Sequence, residues 1–186
     1  IAIGYQAAYQ ITTGYHNVII GHGALDAADG GENHNIAIGV DTLGSANENG
    51  VSANIAIGTR AMDSTGTEAI ANCVAIGYQA LQNAENDADA TIAIGKSAAT
   101  SGTQDAIAIG SSALSKQRST ISIGDSANAN ATNSISLGRA TVSNGVDSIA
   151  IGTNARSFSS NSIWFQVATS KIIDIGLKGV SHTGIK

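Results

Sequence analysis

The stretch Asp147-Ser148-Ile149-Ala150-Ile151-Gly152 decides the fold, because its aliphatic, small, aliphatic, glycine pattern recurs along most of the chain. The recurrences end at ten glycines: Gly4, Gly21, Gly39, Gly58, Gly77, Gly95, Gly110, Gly124, Gly138 and Gly152. Successive glycines are 17, 18, 19, 19, 18, 15, 14, 14 and 14 residues apart. A further step of 14 residues reaches Gln166, where the spacing continues but the residue types change. The chain is therefore a repeat protein.

Within each repeat, the alternation of large and small side chains predicts a short β-strand. In Ile149-Ala150-Ile151 the two Ile share one face and Ala150 lies on the other. We expect the Ile side chains to fill the interior of each coil and the small residue to let another chain approach closely. The glycine predicts a sharp corner with positive φ. A second segment, which starts three residues after the glycine with Ala or Thr, predicts a shorter return strand.

The length of the repeat limits what one coil can contain. A unit of 14 residues spans about 46 Å when extended at about 3.3 Å per residue, which allows two short strands and two turns. It is too short for a βαβ unit, which needs about 30 residues. One coil buries too few side chains to offset the ordering of its own backbone, so neighbouring coils must stack. The pattern predicts an all-β solenoid of about ten coils of 14–19 residues.

Two of the shortest units carry a family resemblance. Asn133-Ser134-Ile135-Ser136-Leu137-Gly138 and residues 147–152 resemble the 14-residue head repeats of YadA-like trimeric autotransporter adhesins, which have the form Asn-Ser-Val-Ala-Ile-Gly. The longer units, such as Val74-Ala75-Ile76-Gly77, resemble the repeats of phage tail fibres and related trimeric fibres. The resemblance covers about residues 1–166 and implies a left-handed parallel β-roll, three copies of which pack side by side as a homotrimer. Residues 167–186 would then be a C-terminal cap or transition segment.

The resemblance also implies a function. It indicates a surface-exposed fibre or adhesin segment, with no enzymatic activity, that binds a glycan or a protein on a target-cell surface. The implied location is the outer-membrane surface of a bacterium or the tail fibre of a virion. The polar, acidic loops within residues 1–95 favour adhesion, because the 14-residue units show that the fold does not need them. The alternatives are a purely structural spacer that positions a separate tip, and a phage tail-fibre receptor-binding segment.

Composition and charge exclude other classes. The sequence pI is about 5.1 and the net charge is −5, whereas a nucleic-acid-binding protein normally carries a basic face. No apolar run approaches the roughly 18 residues that a membrane-spanning helix needs. The single cysteine, Cys73, cannot form an intrachain disulfide and is interpreted as a small residue at a strand edge. Because the chain starts with Ile1 instead of Met, we expect a processed protein or a fragment.

The sequence predicts no catalytic site, cofactor or metal site. His22 follows a corner glycine at a position of varied residue type, which indicates a solvent-facing side chain. His16 and His34 could share a metal between stacked coils, but no fixed ligand spacing supports this. A left-handed β-helix acyltransferase would carry an aliphatic residue every six positions, and this chain does not. The loop acids are interpreted as solubilising groups: Asp26, Asp29, Glu32, Glu48, Glu85, Asp87 and Asp89.

The aromatic residues are the remaining candidates for ligand contact. Phe158, Trp164 and Phe165 lie where the repeat changes, which is typical either of a cap that closes the stack around a trimer axis or of a binding surface. Four tyrosines lie in the longer units and are candidates for a ligand-facing surface: Tyr5, Tyr9, Tyr15 and Tyr78.

Overall fold

The structure is a computed structural model that describes residues 1–27, 31–44, 51–63, 70–82, 88–101 and 104–166. These residues form short strands joined by turns, and no helix occurs among them. The strands are β1 (Ala2–Ile3), β2 (Val18–Ile20), β3 (Ile36–Ile38), β4 (Ile55–Ile57), β5 (Val74–Ile76), β6 (Ile92–Ile94), β7 (Ala99–Thr100), β8 (Ile107–Ile109), β9 (Leu114–Ser115), β10 (Ile121–Ile123), β11 (Asn128–Ala129), β12 (Ile135–Leu137), β13 (Val142–Ser143), β14 (Ile149–Ile151), β15 (Arg156–Ser157) and β16 (Ile163–Phe165). Residues 167–186, the predicted cap or transition segment, lie outside the described residues.

The strands form two parallel sheets. The first sheet has eleven strands in the order β1-β2-β3-β4-β5-β6-β8-β10-β12-β14-β16, and the second has five in the order β15-β13-β11-β9-β7. Equivalent residues of successive repeats pair with each other, so that Ile121 pairs with Ile135 and Ser122 with Ser136. The prediction of an all-β parallel solenoid is therefore confirmed, with about nine turns. The left hand of the roll stays a prediction.

The return strand was predicted for every coil, and among the described residues it occurs only in the shorter coils. From β7 onward each coil contributes a two-residue strand to the second sheet. In the longer coils the corresponding aliphatic residue instead has positive φ, between 48° and 54°, and is buried inside a turn: Leu25, Leu43, Met62 and Leu81. The expanded loops thus begin at this turn, which replaces the second strand.

The inward and outward faces of the first sheet are the reverse of those predicted. In the eight strands of this sheet from β3 to β14, the small middle residue is fully buried inside the coil, as at Ala108, Ser122 and Ala150. The flanking Ile residues point outward, so they do not fill the coil interior, and Ala does not form the outer surface. In the 14-residue coils the interior is narrow, and the side chain of an Ile at each middle position would overfill it.

The interior differs between the two halves of the stack. In the shorter coils hydroxyls line it, and Ser115 Oγ donates a hydrogen bond to Ser122 Oγ at 3.0 Å. In the longer coils the residue before the strand forms a ladder of buried asparagines. The main-chain N–H of Asn54 donates to Asn35 Oδ1 at 3.1 Å, and that of Cys73 donates to Asn54 Oδ1 at 3.0 Å. These ladders satisfy buried main-chain groups that no strand pairs.

The corner glycine behaves as predicted. Gly124 has φ of +133°, a conformation that residues with a β-carbon rarely adopt. A β-carbon at this position would also collide with the carbonyl oxygen of Gly138 in the next coil. The glycine therefore permits both the corner and the close stacking of corners.

We predict that Gly124→Ala lowers the free energy of unfolding by at least about 2 kcal/mol, since it adds backbone strain and a collision with the next coil. Chemical denaturation measures the loss. Asp125→Ala, at the neighbouring exposed position, is the control and should change stability by less than about 0.5 kcal/mol. A Gly124→Ala chain as stable as the control would show that the corner assignment is wrong.

Candidate functional site

An aliphatic ladder covers the outer side of the first sheet. We call it the isoleucine face, and it consists of the outward residues of nine strands: Val18, Ile20, Ile36, Ile38, Ile55, Ile57, Val74, Ile76, Ile92, Ile94, Ile107, Ile109, Ile121, Ile123, Ile135, Leu137, Ile149 and Ile151. Neighbouring rungs cover these side chains partly, yet Ile20, Ile76 and Ile123 remain 36%, 36% and 39% exposed. With strands about 10 Å long and about 4.8 Å apart, the face covers on the order of 400 Å². This lies within the range of about 300–600 Å² of the largest apolar patch on a typical monomer, a patch that is often functional.

Sequence reasoning missed this face, although a signal for it exists. From Ile36 onward the middle strand position holds only Ala or Ser until Trp164, whereas the flanking positions are aliphatic until Phe165. A position that holds either Ala or Ser accepts small side chains, whether apolar or polar. This restriction to small side chains is typical of a narrow interior, and it indicates that the flanking aliphatic side chains lie on the outer side.

The predicted tyrosines do not form one site. Tyr5 and Tyr78 occupy equivalent positions after a corner glycine, but four rungs, or about 19 Å, separate them. Tyr5 stacks on His22 with ring centroids 5.3 Å apart, and His22 Nδ1 lies 3.8 Å from Asp41 Oδ1. The side chain of His22 is 59% exposed, which confirms its predicted solvent-facing position. Tyr9 is 72% exposed.

A second aromatic cluster lies at the edge of the first sheet where its strands begin, opposite to the edge that carries Tyr5 and Tyr78. Tyr15 contacts His16 and His34 edge-on, with ring centroids 5.1 and 5.5 Å apart. The centroids of the two imidazole rings are 5.0 Å apart, and the ring planes are tilted by 33°. The stacking of coils therefore brings together two histidines that are 18 residues apart in sequence.

The aromatic residues at the last rung separate into two groups. Phe158 and Trp164 line an open groove of about 440 Å³, together with Arg156 and neighbouring polar residues. Trp164 pairs with Ala150, so it continues the interior column and lies over the end of the coil, away from the isoleucine face. Phe165 pairs with Ile151 and continues the isoleucine face. The three aromatics therefore do not form the single cluster that the sequence suggested.

One loop acid was misinterpreted. Glu32 is fully buried, which contradicts the expectation that it is a solubilising group. Asp89 Oδ1 accepts a hydrogen bond from Asn72 Nδ2 at 3.1 Å, a contact between neighbouring coils. Four of the predicted loop acids lie outside the described residues: Asp29, Glu48, Glu85 and Asp87.

The described residues contain neither a metal-binding cluster nor a membrane-spanning helix. No group of three or more His, Cys, Asp or Glu residues is arranged to hold a metal ion in this part of the chain. None of its elements is a helix of the length and apolarity needed to cross a membrane.

Cys73 is buried, as its interpretation as a small structural residue requires. Its Sγ donates hydrogen bonds to the carbonyl oxygens of Ala71 and Ala88, both at 3.3 Å, and Thr91 Oγ1 donates to Sγ at 3.3 Å. Burial raises the pKa of the Cys73 thiol, although the hydrogen bonds from Thr91 oppose this. The thiol is therefore protonated at neutral pH. Cys73 continues the ladder that the buried asparagines form before the strands.

Comparisons of the chain with protein-family models, with curated proteins and with solved structures found no match.

We predict that Cys73 does not react with a thiol reagent such as DTNB in the folded protein at pH 7.5. Burial and the raised pKa together remove both access and thiolate. The absorbance of released thionitrobenzoate measures the reaction, and the chain unfolded in guanidinium should release one equivalent. Stoichiometric labelling of the folded protein within the mixing time would contradict the buried position.

Proposed function

We propose that this chain is a segment of a homotrimeric surface fibre, and that it binds a glycan or a protein on a target-cell surface. The observation that carries the proposal is the isoleucine face. An aliphatic surface of this size gains free energy when a partner excludes water from it, at about 25 cal/mol per Å² of apolar area. A second and a third copy of the chain are the occupants that fit it best.

The regularity of the ladder favours identical copies as partners. Rungs repeat in phase along the sheet, as in the pairing of Ile107 with Ile121 and of Ile121 with Ile135. A parallel copy offers the same spacing, so every rung can meet its equivalent across the interface. Three copies around one axis form a closed assembly with no unpaired isoleucine face. The resemblance to trimeric fibre repeats supports three copies over two.

Adhesion is supported by the aromatic residues that the stack leaves exposed. Trp164 and Phe158 are 51% and 68% exposed and share the groove at the last rung with Arg156. Tyr5 and Tyr78 are 69% and 48% exposed at the edge of the isoleucine face. Exposed aromatic surfaces beside polar groups can stack on sugars or serve as protein hot spots. The proposed location is the surface of a bacterial cell or the tail fibre of a virion.

Cysteine cross-linking tests the trimer interface. In a Cys73→Ser background, Ile121→Cys or Ile123→Cys should give an interchain disulfide on mild oxidation, because the outward faces meet at the axis. Disulfide formation needs Cα atoms about 4.4–6.8 Å apart, so a band of twice the chain mass on a non-reducing gel reports close approach. Ser122→Cys, whose side chain points into the coil, is the matched control and should remain uncross-linked. Cross-linking in the control alone would reverse the assignment of the faces.

Binding assays test adhesion. We predict that the assembled protein binds at least one component of a glycan array or a target-cell surface. A Phe158→Ala/Trp164→Ala variant or a Tyr5→Ala/Tyr78→Ala variant should lose at least tenfold in affinity, the size of effect that a hot spot produces. Thr153→Ala, an exposed change nearby, is the control. Undiminished binding by both aromatic variants would show that these residues are not the contact surface.

The spacer alternative is supported by the shorter coils. Each of them contributes one strand to each of the two sheets and lacks the expanded loop of the longer coils. Deleting residues 111–138 from the full-length product removes two 14-residue units in register. A spacer should still bind through a separate tip, whereas binding by a site on the deleted coils would be lost. Retained binding by this variant, combined with no binding by the isolated segment, would favour the spacer over the adhesin.

A further inference from the structure

Equivalent positions on neighbouring coils hold the two histidines of the second aromatic cluster. His16 and His34 each lie two residues before a strand of the first sheet and have nearly the same φ, 61° and 62°. The His34 main-chain N–H donates to the carbonyl oxygen of Tyr15 at 3.1 Å, which fixes the register between the two coils. Both side chains are exposed, and their ring centroids are 5.0 Å apart.

The same position in later coils shows how closely such side chains can meet. Asn133 and Asp147 also lie two residues before a strand, with φ of 57° and 54°. Asn133 Nδ2 donates to Asp147 Oδ1 at 2.8 Å. Polar atoms at this position therefore reach each other across one coil step. Two nitrogens that bind one metal ion at about 2.0–2.1 Å each are about 3–4 Å apart. Side chains at the position two residues before each strand can reach this separation.

The chemistry of the pair selects the ion. Neutral imidazole is a ligand for Zn²⁺, Cu²⁺ and Ni²⁺, whereas Mg²⁺ and Ca²⁺ prefer oxygen. Tyr15 packs edge-on against both rings and restricts their orientation. Because no cluster of three or more metal-ligating residues occurs in the described part of the chain, water would fill the other coordination positions.

We propose that His16 and His34 together bind one divalent transition-metal ion, through one ring nitrogen of each, and thereby link two neighbouring coils. The site does not depend on the proposed adhesive function or on the trimer. A metal that bridges two rungs binds the stacked state and not the unfolded chain, so it also stabilises the coils that it joins.

Titration calorimetry with ZnCl₂ and with CuCl₂ tests the proposal on the purified chain. We expect one ion per chain, tighter binding of Cu²⁺ than of Zn²⁺, and no binding of MgCl₂. His16→Asn and His34→Asn should each weaken binding at least tenfold. Asn is a suitable replacement because Asn72, Asn133 and Asn161 occupy the same position with φ of 55–60°. The melting temperature should rise with Zn²⁺ in the unmodified chain and not in these variants.

His22→Asn and His182→Asn are the matched controls and should bind as the unmodified chain does. No binding of either metal up to a concentration of about 1 mM would overturn the proposal. Unchanged binding by both His16→Asn and His34→Asn would overturn it as well. A loss as large in His22→Asn would assign the ion to a different site and have the same consequence.

Discussion

The stacking of equivalent residues in successive coils is the interaction on which the rest of the structure depends. The Gly124 N–H donates to the Ile109 carbonyl oxygen at 2.8 Å, and the Gly138 N–H donates to that of Ile123 at the same distance. Each coil is thereby hydrogen-bonded to its neighbours through the same main-chain atoms. A coil of two short strands is too small to be stable alone, so its stability comes from this repetition.

The inward and outward faces follow from the size of the coil. Two short strands and two turns enclose only enough space for small side chains, and Ala108 and Ser122 occupy it without exposed surface. In the 14-residue coils the aliphatic residues of the first sheet therefore lie on the outer side, whereas the longer coils also enclose aliphatic side chains such as Leu43 and Met62. The isoleucine face is thus the side of the first sheet that the coil does not enclose. Our proposal that identical chains cover this face links the period of the sequence to assembly.

The period of the repeat was enough to predict the solenoid, since strand, corner and step length each have a direct residue signature. It did not show which face is buried, because alternation separates two faces without saying which is inside. The longer coils also differ from the prediction. Leu43 and Met62 have positive φ there and lie in a turn, at the position where the shorter coils form their second strand. For the candidate site, the sequence indicated single aromatic and histidine residues but did not indicate the isoleucine face as a surface. The stacking of coils was enough to suggest that His16 and His34 lie near each other, whereas their ring separation of 5.0 Å came from the structure.

Coverage of the isoleucine face by identical chains is measured most directly by the native mass. Sedimentation equilibrium of the purified chain, over a range of concentrations at neutral pH, gives that mass without a calibration standard. We predict a species of three times the chain mass of 18.6 kDa that persists on dilution. A stable, soluble monomer of 18.6 kDa across the whole range would contradict it.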